Sequence, residues 1–119
     1  MSTLPPISRR ILEYVGEDLP SPTNTKSYLD VLKFAQMAWN YAIFPAESAE
    51  SSAINSSLLR MPAMVRNSIQ SKLIEWSERK KRMFPDDNRV IVEIRLKDAK
   101  SQVTVEAAHY DYYKKKKSA

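Results

Sequence analysis

The chain holds one glycine, Gly16, in 119 residues. Phosphate loops, dinucleotide fingerprints and nucleophile elbows need several glycines, to bring backbone amides against a ligand or to permit positive φ. All three are excluded. Cysteine is absent, which removes disulfides, thiolate metal sites and a cysteine nucleophile, and says nothing direct about redox compartment. The one histidine, His109, excludes multi-histidine metal sites and leaves any Ser-His-Asp arrangement resting on that residue. Long apolar runs are also missing. The N-terminal stretch has no apolar core of a secretory signal, and the most apolar helical run, residues 34–44, is about half the length of a bilayer crossing. These absences lead to the expectation of a cytoplasmic, non-enzymatic protein with no membrane association, no cofactor and no metal.

A hydrophobic content of 43% is enough to fold one modest core. A single domain is expected over residues 1–113, with the basic tail 114–119 frayed. The main internal landmark is Phe84-Pro85, where the apolar rhythm changes. Upstream, apolar residues return every three or four positions, as in a helix. Downstream, Val90, Val92, Ile94 and Leu96 recur at every second position, with charged Glu93 and Arg95 between the last three, and Val103, Val105 and Ala107 recur in the same way. The predicted class is α+β: three or four helices, then a C-terminal antiparallel β-hairpin packed on the helical layer.

The first helix is predicted over about 6–15, with Ile7, Ile11, Tyr14 and Val15 on one face and Gly16 as a left-handed C-cap. A second, over about 25–44, has its polar residues Lys26, Asp30, Lys33, Gln36 and Asn40 on a narrow stripe. A helix this apolar around its girth needs cover on two or more sides, from flanking helices or a second copy. Residues 46–61 read equally as a Ser-rich connection or a short helix near 51–60. The next helix, about 62–83, carries a predicted buried stripe of Val65, Ile69, Leu73, Trp76 and Met83. Trp39, Trp76 and Tyr41 read as core. Met37, Met61, Met64 and Met83 fit either core gap-filling or an adaptable binding surface.

The hairpin strands are predicted over about 89–97 and 102–110, joined by a four-residue loop, Asp98 to Ser101. Matching the apolar faces pairs Leu96 with Val103, Ile94 with Val105, Val92 with Ala107 and Val90 with His109. The same register sets Glu93 opposite Glu106, a pair that could hold a hard cation or share a proton but is more often solvated and relieved by a neighbour such as Arg95. The two outer strand edges call for partners. Together with the girth of the second helix they point to a protein–protein interaction or regulatory module, a homodimer associating through the hairpin edge or the helix over 25–44.

Net charge is +5, concentrated in two blocks: Arg79, Lys80, Lys81 and Arg82, then Lys114, Lys115, Lys116 and Lys117. Without those eight cations, 11 basic residues face 14 acidic ones. The body is therefore mildly acidic. An antiparallel hairpin returns the chain toward Phe84, so the two blocks are expected to share one pole, beside Tyr110, Tyr112 and Tyr113. The alternative function is thus a small nucleic-acid-binding protein using that pole for phosphates. Against it, cations in a helix's last turn are favoured by the dipole alone.

Overall fold

A computed structural model describes residues 6–19, 25–45, 47–97, 102–110 and 112–113, with backbone alone for residues 25, 96, 97, 102 and 103. The protein is α+β. Its elements, in order, are α1 (Ile7–Val15), a 3-10 turn (Gly16–Asp18), α2 (Thr25–Ile43), α3 (Ala49–Leu59), α4 (Ala63–Met83), β1 (Arg89–Lys97) and β2 (Gln102–His109). The strands pair antiparallel with each other.

Local chemistry sets several boundaries. Pro6 is the N-cap of α1, whose buried side chains are Ile7, Ile11, Tyr14 and Val15. Gly16 follows with φ 57° but ψ −126°. The positive φ needs glycine, while the ψ lies outside the left-handed helical well expected of a C-cap, and the chain runs on into the 3-10 turn. Ser48 caps α3, its Oγ accepting from Ser51 N–H at 3.2 Å. That bond favours helix in the segment whose sequence reads equally as loop. Pro62 is the N-cap of α4.

α2 lies at the centre of the core, touching α1, α3, α4 and β1. Its apolar girth is thus covered from several sides within one chain. Leu32, Ala35, Ala38 and Trp39 are fully buried there. Around them pack Ile11 and Tyr14 of α1, Leu58 of α3, Leu73 and Trp76 of α4, and Ile91 and Ile94 of β1. Tyr14 stands edge-on to Trp39 at 5.5 Å and to Trp76 at 5.9 Å between centroids. Its hydroxyl donates to the Trp76 carbonyl. Burial raises the Tyr14 pKa, opposed in part by the charge of Arg79.

The hairpin register matches the apolar pairing only in its distal half, where Ile94 faces Val105 and Leu96 faces Val103. The side chains of Leu96 and Val103, and the loop Asp98 to Ser101, lie outside the described residues. Between Ile91 and Glu93 the ladder slips by one residue. Ile91 then pairs with Ala107, Val90 with Ala108 and Arg89 with His109, in place of the predicted partners. This is a β-bulge, and it shifts the pairing of the residues before it by one, so that Val90 and Ile91 are both buried. Val92, predicted to be buried, is 52% exposed, while Ile91 is buried in its stead.

The polar stripe of α2 stabilises that bulge. Asn40 donates to the Ile91 carbonyl and accepts from the Ile91 N–H, both at 2.8 Å. Gln36 donates to the carbonyls of Ile91 and Val92 at 3.0 and 3.2 Å, and Trp39 Nε1 donates to the Arg89 carbonyl at 2.8 Å. The outer edge of β1 from Arg89 to Val92, open on a strand-only reading, is therefore bonded to helix side chains. No strand is needed to cover it there.

Candidate functional site

At the end of α4 the first basic block divides. Lys80 is 3% exposed, and its ammonium donates to the Phe84 carbonyl at 2.8 Å and to the Asp87 carbonyl, lying 5.1 Å from the Trp39 ring centroid. Burial lowers its pKa, with Asp87 opposing and Arg10 adding to the fall. Arg79 donates to Asp18 at 3.3 Å and to the Tyr14 carbonyl at 3.2 Å, and its guanidinium lies 4.9 Å from the Trp76 ring centroid. Lys81 and Arg82 are exposed. Two of the four cations predicted to meet phosphate are thus occupied by the chain's own carbonyls, carboxylate and rings. The second block, Lys114 to Lys117, lies outside the described residues. What precedes it is placed: Tyr110 N–H donates to the Asn88 carbonyl at 2.8 Å, and the rings of Tyr110 and Tyr113 lie 6.2 and 5.6 Å from that of Phe44.

Asp87 is the second buried charge of this corner and is wholly inaccessible. Arg89 donates to it three times, from its guanidinium at 2.9 and 2.7 Å and from its backbone N–H at 3.2 Å, and Arg10 once at 3.2 Å. Burial would raise the Asp87 pKa; the hydrogen bonds from Arg89, then the charges of Arg89 and Arg10, outweigh it and hold the carboxyl below its ordinary value. All its neighbours are cations engaged in the fold. The corner ties the N-terminal helix to the α4–β1 turn.

Glu93 and Glu106 do face each other, and Arg95 joins both, at 3.3 and 2.7 Å. All three side chains are about half exposed. Among the described residues no cluster of acids and histidine could hold a metal ion. His109 is an exposed strand-end residue opposite Arg89. None of the described helices is long and apolar enough to cross a membrane.

A concave feature with an apolar floor lies elsewhere, between α2 and α4. It encloses about 470 Å³, with Val31 and Phe34 on one wall and Ile69 and Trp76 on the other. Its rim carries Asp18, Asp30, Glu75, Lys72 and Arg79. Asp18 and Arg79 pair with each other; Asp30, Lys72 and Glu75 have no ion-pair partner among the described residues. The predicted buried stripe of α4 is only partly correct. Leu73, Trp76, Ser77 and Lys80 face the core, leaving Val65 47% and Met83 42% exposed. Lys80, at helical spacing from Trp76, is buried on the same face, where it donates to the carbonyls that follow the helix.

Sequence reasoning missed this groove. The stripe carries no signal for it, because its residues span one ordinary core-facing helix face. Scanned against protein-family models, curated proteins and solved structures, the chain matches none.

Proposed function

We propose that the protein is a non-enzymatic interaction module that works as a homodimer. The observation that supports this reading is the groove between α2 and α4, open and apolar-floored, beside an α4 whose apolar stripe exceeds what the chain itself buries. Its charges sit on the rim, and no nucleophile–base pair converges on its floor. Concave, apolar and rimmed by charge is the pattern of a protein-binding surface.

Sedimentation velocity of the full chain from low to high micromolar concentration tests this. The expected result is a sedimentation coefficient rising from monomer to dimer, unchanged after nuclease treatment. A monomer at every concentration would overturn the reading. Co-purifying nucleic acid, released by salt and lost on nuclease treatment, would favour the phosphate-binding alternative carried by Lys81, Arg82 and the C-terminal lysines.

A further inference from the structure

On the homodimer reading, we infer that the occupant of the groove is α4 of the second copy, laid antiparallel across a two-fold axis near residue 74. The inference starts from spacing. Val65, Ile69, Lys72, Trp76, Arg79 and Met83 step by four, three, four, three and four along α4, which places them on one face. The four inner members line the groove, and Val65 and Met83 continue the row at its two ends. The row is palindromic about residue 74. An antiparallel copy therefore sets each half-exposed Val65 against the partner's Met83, and brings Ile69 against the stem of the partner's Arg79. The same placement covers Val65 and Met83, which the fold leaves exposed.

Charge favours a second copy over a foreign segment. On a chain of net +5, the groove rim holds three acids against two bases, so it is a face on which two copies meet without net cationic repulsion. About an axis near residue 74, Lys72 of one copy comes beside the partner's Glu75. A two-fold contact makes that pair twice. Such a contact is self-complementary, whereas a groove shaped for a basic or acidic peptide would carry free charges of one sign.

The test uses the full chain and sedimentation equilibrium. Val65→Asp and Met83→Asp each replace an apolar contact of the seam with a carboxylate at a position exposed in the monomer, and each is expected to weaken association about tenfold or more. Circular dichroism should be unchanged, since neither side chain is in the core. Ile74→Asp, half a helical turn away from Val65 and 48% exposed, is the control and should leave association intact. Lys72→Glu alone is expected to weaken association about tenfold through two lost pairs, and Lys72→Glu with Glu75→Lys to restore it. Wild-type dimer persisting in Val65→Asp and Met83→Asp would overturn this interface while leaving self-association standing. A single swap that the double swap fails to rescue would overturn the antiparallel register. A wild-type monomer would remove both the interface and the reading beneath it.

Discussion

Replacing Asp87 with alanine is expected to cost about 3–5 kcal/mol of folding stability. The carboxylate is fully buried between Arg10 and Arg89, whose side chains are themselves largely buried. Removing it leaves two guanidinium groups facing each other with their anion gone, which is the costly way to break a buried pair. Asp87→Asn should fall between, since it keeps the shape and one acceptor but neutralises the charge. Urea unfolding followed by tryptophan fluorescence, at one fixed low concentration so that association does not shift the midpoint, measures both.

The same residue sets the acid limit. The Asp87 pKa in the fold lies below its unfolded value. Its contribution is then complete above the ordinary aspartate pKa, about 3.9, and is lost as pH falls through the lower folded value. The Asp87→Asn variant should show a shallower fall of stability in that acid range. Lys80 acts at the other end of the scale. Its pKa in the fold is lowered, so the unfolded chain holds the proton more tightly, and between the two values stability rises with pH.

Trp39→Ala is expected to have an effect of similar size, about 3–5 kcal/mol. Trp39 is completely buried on α2 and joins three parts of the molecule. It meets Tyr14 of α1 and Phe84 beyond α4, at 5.5 and 5.6 Å between ring centroids, and lies under the Lys80 ammonium. Its indole N–H is also the donor to the Arg89 carbonyl at the start of β1. Alanine would leave a cavity and an unsatisfied carbonyl together. Trp39→Phe separates the two losses: it keeps most of the volume and should cost about 1–3 kcal/mol, chiefly for the missing donor. Equal losses in the two variants would show that the hydrogen bond, rather than the packing, dominates.

The fold class was legible because periodicity is a local property. Ile7, Ile11, Tyr14 and Val15 mark the buried face of α1 by spacing alone, and Ile94 finds Val105 by matching apolar faces. What could not be read is whatever depends on two distant residues meeting. Nothing near Val92 announces a bulge; it follows from Gln36 and Asn40, more than fifty residues earlier, bonding the strand's backbone. By the same mechanism, two residues of an apparently solvent-facing stripe became the cover of a sheet edge.

The basic block shows the same limit. Four consecutive cations look equivalent in sequence, yet α4 turns each by about 100°, so Lys80 faces Trp39 and Asp87 while Lys81 faces solvent. The candidate site was half visible. Val65 and Met83 stood out as apolar positions of α4, but their burial was assumed from the stripe. Only the packing of α2 against α4 shows that the stripe runs past its cover.

Distances between two identical labels test the paired α4 helices most directly. The chain has no cysteine, so Ser68→Cys and Ser71→Cys each give a single attachment point for a spin label, at exposed positions. Two antiparallel helices crossing near residue 74 move equivalent residues apart by about 3 Å for every position away from the axis. Along the helix direction, the separation should be about 9 Å at position 71 and about 18 Å at position 68. Equal separations at the two positions, or no dipolar coupling at either, would contradict the arrangement.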